Sequence, residues 1–272
     1  MKSEHKRPRL WLRSTATALL CLATVSGCGT NSGSEIAALQ AIASTCPAGQ
    51  QLASLVSVDA SGSARSDALD AVRKDVIADV ARRTAVCGGH LRVTAFSSSA
   101  AATATIFDGD LHPTGATDIA KLRRVPDLVA ETMASVDAAF APTVASLSPN
   151  GTDVVSQFGL AREFLNQVNA AQSGGQSAYR LNLVILTDGQ QSVGLPLVDP
   201  NLTAERGAEL ASTVTAPDLS GAEVTVAGVG KMAGDLPPTS YVDGLKAFYG
   251  SLCTASGAAS CVVVTDFVPA GS

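Results

Sequence analysis

Two periodicities alternate along this chain. Runs of five to seven mostly apolar residues, Leu52–Val58, Leu91–Phe96, Thr103–Phe107, Leu181–Leu186, Val224–Val229 and Cys261–Thr265, have the length and aliphatic character of strands. Between them lie segments with apolar residues at helical spacing. Ser66–Val86 is the clearest, with Leu69, Val72, Val76, Ile77 and Val80 on one face of an amphipathic helix. Asp127–Phe140, Val154–Ala171, Thr203–Val214 and Tyr241–Cys253 read as further helices, and Glu35–Ser44 as a short one carrying Ile36, Leu39 and Ile42.

Strands that alternate with helices predict right-handed crossovers and a mostly parallel sheet covered on both faces. The short Ser/Ala-rich link between Leu91–Phe96 and Thr103–Phe107 predicts a hairpin, hence one antiparallel edge strand. The predicted fold class is therefore α/β, three-layered and Rossmann-like. In such sheets ligands bind beyond the carboxyl ends of the strands, where the strand order switches direction.

The first residues change the picture of where this domain works. Lys2, Lys6, Arg7, Arg9 and Arg13 form a basic start, an apolar stretch runs roughly from Leu10 to Val25, and Val25-Ser26-Gly27-Cys28 follows. This reads as a signal peptide over 1–27, and the small residues before Cys28 resemble a bacterial lipobox. The apolar stretch is short for a membrane span and contains several Ser and Thr, which favours cleavage. The resemblance implies acyl chains on Cys28, palmitate among them, holding the protein to a membrane of the cell envelope from outside the cytoplasm. Residues 28–46 then form the lipidated Cys and a tether, Gly29–Ser34 being its most flexible part, and 47–272 form one domain.

Loss of 1–27 removes five Lys/Arg and one acidic residue and leaves a net charge of about −9. Such a surface disfavours nucleic acid and bare anionic lipid as partners. Of the six Cys, Cys21 leaves with the signal and Cys28 is reserved for lipid. The other four allow three pairings, which sequence alone leaves open. Cys46–Cys87 and Cys253–Cys261 are favoured, because each joins a helix exit to the start of a strand at one end of a parallel sheet. With no C-x-x-C pair and no nearby His, zinc is disfavoured, and export makes disulfides the default.

The candidate chemistry sits at the ends of two strands. Asp59-Ala60-Ser61-Gly62-Ser63 directly follows Leu52–Val58 and offers one carboxylate and two hydroxyls on a tight turn. Leu181–Leu186 stops on Thr187-Asp188-Gly189, and Asn150-Gly151-Thr152-Asp153 precedes a helix between the two. Oxygen donors alone suit a hard divalent cation. In this order the three segments resemble the metal-ion-dependent adhesion site (MIDAS) of von Willebrand factor type A (VWA) domains, over roughly Gln50 to Phe267. The resemblance implies a metal shell of Asp59, Ser61, Ser63, Thr152 and Asp188, holding Mg²⁺, with Mn²⁺ or Ca²⁺ as alternatives. It also implies a protein partner that supplies an acidic residue to the open coordination position.

Thr117, in Gly115-Ala116-Thr117-Asp118, competes with Thr152 for the middle loop. Spacing favours Thr152, since the interval to Asp188 holds one helix and one strand, whereas Thr117 would force in another helix. After Cys261–Thr265 only seven residues remain, so the C-terminal helix that some VWA domains shift is not expected. Glu35–Ser44 is expected to cover the bare sheet face in its place.

Catalysis is disfavoured. His90 and His112 lie at strand edges or loops without a Ser or Cys partner, the G-x-S-x-G elbow is missing, and no Gly-Lys-Ser/Thr phosphate loop occurs. A phosphatase using Asp59 would want a second carboxylate where Ser61 stands. Two other classes stay open: a solute-binding envelope lipoprotein, and a structural one without a working metal site.

Overall fold

In the computed structural model, which describes residues 31–172 and 178–267, the two central strands are buried almost end to end. Such burial demands cover on both faces. The expected signal peptide, its cleavage site and Cys28 lie outside the described residues.

Six strands form one sheet: β1 (Gln51–Asp59), β2 (Gly89–Phe96), β3 (Thr103–Leu111), β4 (Tyr179–Leu186), β5 (Glu223–Ala227) and β6 (Ser260–Val264). Their order is β3-β2-β1-β4-β5-β6. All neighbours are parallel except β2 and β3, which pair antiparallel with a register shift between Val93 and Thr94. As expected of an edge strand, β3 alternates exposed and covered positions, with Ile106 and Leu111 buried. The chain leaves β1 toward β2 on one side and leaves β4 toward β5 on the other. The switch in strand order therefore falls between β1 and β4, where a crevice opens beyond their carboxyl ends.

The helices are α1 (Asn31–Ala43), α2 (Asp67–Cys87), α3 (Asp118–Leu122), α4 (Val125–Ser146), α5 (Val155–Ala171), α6 (Ala204–Ala211) and α7 (Thr239–Ala255). On one face α2 and α4 pack Val76, Ile77, Val80, Val136 and Phe140 against β1 and β2. On the other, α5 and α7 bury Phe158, Phe164, Leu245 and Phe248 against β1, β4 and β6. Each fully buried aliphatic or aromatic side chain contributes about 1.5–3 kcal/mol. Helix α6 rests on α7 with almost no gap, because a Cβ at Gly207 would come within 2.1 Å of the Gly244 carbonyl oxygen. The start of α2 is set by Ser66, whose Oγ accepts from the Leu69 amide at 3.2 Å, and by Asp67 and Asp70 in its first turn.

Both favoured disulfides are formed, Cys46–Cys87 between the segment after α1 and the end of α2, and Cys253–Cys261 between α7 and β6. Some boundaries differ from the periodicity. Strand β3 runs on to Leu111, α4 spans Val125–Ser146 where the apolar pattern marks Asp127–Phe140, and the five-residue α3 was not expected at all.

Two expectations for the N-terminal segment are corrected. The chain is helical from Asn31, so part of the span assigned to a tether is structured, and Leu39 is 3 % exposed in the core formed with α2 and α4. Nor does this helix take over the bare sheet face. It packs on α2 and α3, and the Cys46–Cys87 bond ties its exit to the end of α2. Among the described residues a groove of about 120 Å³ stays open between α2 and β4–β6, lined by Val80, Arg83, Val184, Thr225, Val262 and Phe267.

Candidate functional site

The end of β1 delivers Asp59 into the crevice, and the chain then turns through a short 3₁₀ segment, Gly62–Ala64. The Asp59 carboxylate is held from two directions. Its Oδ1 accepts from the Ser61 amide at 2.8 Å, and its Oδ2 accepts from the Thr187 hydroxyl at 2.6 Å. Thr187 itself accepts from the Gly189 amide at 3.0 Å, so one hydroxyl links the ends of β1 and β4. The Ser61 and Ser63 hydroxyls stand 3.4 Å apart on the same side of the turn.

Asp188 follows Thr187, and Gly189 then turns the chain away with φ +86°, a conformation natural to glycine. Asp188 Oδ1 accepts from the Gln190 amide at 2.8 Å. Its Oδ2 is buried and has no hydrogen-bond partner among the described residues. The Ser63 hydroxyl lies near enough to favour the ionised carboxylate without making a regular hydrogen bond to that oxygen. Burial and then the charge of Asp59 push the Asp188 carboxyl up to about 7. Asp59 is also raised by burial, opposed by its hydrogen bonds from Thr187 and Ser61 and by the charge of Arg73. Two carboxylates with almost no access to water share this crevice. Such a pair resists full ionisation at neutral pH unless positive charge is supplied.

Thr152, in the loop before α5, is buried and tied through its backbone to the loop after β4. Its amide donates to Ser192 Oγ at 2.9 Å, and its carbonyl accepts from the Ser192 and Val193 amides. Gln191 completes the connection. Its Oε1 accepts from the Val154 amide at 2.6 Å, and its Nε2 donates to Asp153 Oδ1 at 3.2 Å. The first loop joins as well, through the Gly62 amide to the Pro149 carbonyl at 2.8 Å. The structure thus brings Asp59, Ser61, Ser63, Thr152 and Asp188 into one set of three cross-linked loops. Thr117 lies elsewhere, exposed, where it caps α3 by accepting from the Ala120 amide at 3.2 Å.

Sequence reasoning missed three residues of this neighbourhood. Thr187 was readable as a hydroxyl next to the aspartate that ends a buried strand. Arg73 falls on the α2 face that carries Val76, Ile77 and Val80, and a charge on an apolar face is the signal that could have found it. Gln191 has no local signature. Its role depends on a partner loop 37 residues away.

His90 occupies the other end of the sheet. It pairs with Ala53 at the start of β1, about 20 Å along the strands from Asp59. Its two ring nitrogens contact Asp110 at 2.7 Å and Asp108 at 2.5 Å. His112 is exposed just after β3.

The residues fit a divalent cation by two features, an orphaned buried carboxylate oxygen and a donor set made wholly of oxygen. Among the described residues no group of three His, Cys, Asp or Glu converges on a metal position, so hydroxyls must complete any shell.

Fold and strand order define the class, a three-layer α/β domain of VWA-like, Rossmann-like architecture. No family model matches the sequence, and no curated protein matches it. Among solved structures, it is similar to proximal thread matrix protein 1 of the mussel byssus at 14 % identity and a TM-score of 0.37, with 80 % of this chain covered. The chain spans 45 % of the length of that protein. An aerotolerance-related membrane protein from Bacteroides fragilis, carrying multiple mutations to serine, is similar at 14 % identity and a TM-score of 0.37. The match covers 78 % of this chain and 90 % of that one. No helix among the described residues is long and apolar enough to cross a membrane.

Proposed function

We propose that this chain is an extracytoplasmic, lipid-anchored interaction module that binds a protein partner through a divalent cation, Mg²⁺ first among the candidates. The observation that carries the reading is the Asp59–Asp188 pair. Two buried carboxylates meet at the switch point of the sheet, one with an oxygen that has no hydrogen-bond partner among the described residues, beside the Ser61 and Ser63 hydroxyls. An uncompensated buried acidic pair is costly, and sites that keep one have a use for it.

Asp59, Ser61, Ser63, Thr152 and Asp188 would hold the ion, which would offer an open position to a carboxylate from outside. The chain's own residues provide the rest. Thr187 orients Asp59, the Gln190 amide orients Asp188, and Gln191 with Ser192 fixes Thr152 against the third loop. The module is read as one that binds and does not catalyse; His90 is engaged by Asp108 and Asp110 at the far end of the sheet. Anchoring is read from the Val25–Cys28 motif and fits the two disulfides, which favour an oxidising compartment.

The test uses the chain from residue 29 onward. Calorimetric titration with Mg²⁺, Mn²⁺ and Ca²⁺ after EDTA treatment should show saturable binding, lost in Asp59→Ala and Asp188→Ala. A pull-down from envelope extracts should retain a protein with metal and release it with EDTA. Partner capture unchanged by EDTA and by both substitutions would sink the proposal. For the anchor, palmitate labelling of the full chain should vanish in Cys28→Ser.

A further inference from the structure

We propose that the sheet face beside α5 carries a second binding site, a polar trough that takes a neutral oligosaccharide chain. This site is separate from the cation crevice and does not depend on that reading.

Helix α5 packs on β1 and β4, and the trough lies beside it over β2 and β3. Near the start of β1 it opens to about 690 Å³, lined by His90, Asp110, His112, Gln172 and Tyr179. Nearer the carboxyl ends of β1 and β2 it narrows to about 240 Å³ over Ser57, Thr94, Thr103 and Thr105, with Gln157 and Phe164 on the α5 side. Arg92 and Gln167 line both parts, so the two join into one channel. Strand register explains its floor. Ser57 pairs with Thr94 and Thr94 with Thr105, which sets three hydroxyls in a row, while Arg92 faces Asp108 and His90 faces Asp110. Along β3 the trough runs from Thr103 to Asp110, about 20 Å, the length of a short oligosaccharide.

The chemistry of the lining selects the ligand class. Its ionic groups are largely spent on one another: Arg92 donates to Asp108 at 2.9 Å and to Gln167 at 2.9 Å, and His90 contacts both Asp108 and Asp110. A strongly charged ligand would have to break these pairs. An extended peptide is also a poor fit, because the backbone groups of the floor are turned along the sheet into ladder bonds, and Leu55, Phe164 and Val168 in the wall are buried. Hydroxyls and side-chain amides remain, groups that donate and accept alike and match a ligand whose own hydroxyls do both. The wall also holds unmet hydrogen-bonding capacity. Gln51 Oε1, Arg92 Nε, Thr103 Oγ1, Gln157 Oε1 and Gln172 Nε2 all belong to lining residues and have no partner among the described residues. Gln157 is 0 % exposed, and buried groups of this kind are ordinarily satisfied by ordered water or by a ligand.

The test is calorimetric titration of the chain from residue 29 onward, in EDTA, with three neutral probes: chitotetraose, cellotetraose and maltotetraose. At least one should bind saturably. Thr105 and Gln167 are exposed, so Thr105→Val and Gln167→Ala should leave the melting temperature little changed while each weakens binding about fivefold or more. Asp59→Ala should bind the sugar as wild type does. Failure of all three probes to bind, or binding left intact by both trough substitutions, overturns the proposal. So does a Gly/Ser octapeptide that binds as well as the sugar, which would make the trough a general polar groove. Loss of sugar binding in Asp59→Ala overturns it too, by placing the sugar at the cation crevice. Because the titration contains EDTA, its failure leaves the cation reading untouched, and loss of metal binding leaves the trough standing.

Discussion

Asp188→Asn is expected to raise the stability of the metal-free protein at pH 8 while abolishing its response to metal. The substitution keeps the shape and the bond from the Gln190 amide to Oδ1, and exchanges a charged, unpartnered buried oxygen for a neutral amide nitrogen facing Asp59. The size follows from the pKa. The folded-state value lies above the unfolded one, so stability is fully present below the unfolded pKa and is lost as pH rises through the folded pKa. For Asp188 the window runs from 3.8 to about 7. Three units correspond to about 4 kcal/mol once pH exceeds both values. Because Asp59 shares the burden, we expect a gain on the order of 2–4 kcal/mol, or about 5–15 °C for a domain of this length. Urea or thermal unfolding in EDTA at pH 5 and pH 8, followed by circular dichroism, reads it directly. Wild type should be weaker at pH 8 than at pH 5, and the gap to Asp188→Asn should widen with pH. A variant less stable than wild type at pH 8 would refute the argument, since Asp188 would then be a satisfied structural acid.

Three further outcomes test separate links. Thr117→Ala should cost about 1 kcal/mol through its lost helix cap and leave the Mg²⁺ titration unchanged, whereas Thr152→Ala should weaken Mg²⁺ with little effect on metal-free melting. Leu39→Ala should cost about 2–4 kcal/mol in urea unfolding if α1 is part of the folded body; an unchanged midpoint would make it an appendage. Replacing both Cys46 and Cys87 by Ser should cost about 4 kcal/mol, against about 2.5 for Cys253 and Cys261, because the loops closed span 41 and 8 residues. Calorimetry on the two double variants gives the comparison, and equal losses would show that loop entropy is not the controlling quantity.

Most of the architecture was legible because its signals are local. Runs such as Leu181–Leu186 have only one way to hide their side chains, and the helical spacing of Leu69–Val80 has only one face to bury. The strand order, and with it the switch point between β1 and β4, was not read from the sequence, since the hairpin and the crossovers constrain the direction of strands and not their neighbours. What escaped was set by contacts between distant segments. Helix α3 is one turn held by the Thr117 cap and by packing under α1, too short to show a period. The path of α1 depends on a disulfide to the end of α2, and on hydrophobic contacts that its three apolar residues do not specify by themselves.

The site shows the same division more sharply. The ligands that the resemblance implies are read from three short motifs, because a carboxylate or hydroxyl at the end of a buried strand can do little except point into the crevice. The residues that keep those groups in place are invisible in the motifs. Gln191 reaches the Val154 amide across 37 residues, and Arg73 clamps the first loop from a helix that looks purely structural. Both are polar groups buried at a cost, and that cost is tolerable only if the crevice needs rigid loops and a balanced charge. A turn that merely linked β1 to α2 would need neither a buried arginine beneath it nor an aspartate with an idle oxygen beside it. The supporting residues therefore bear on the proposed site independently of the ligand motif, through the burial cost that each of them carries.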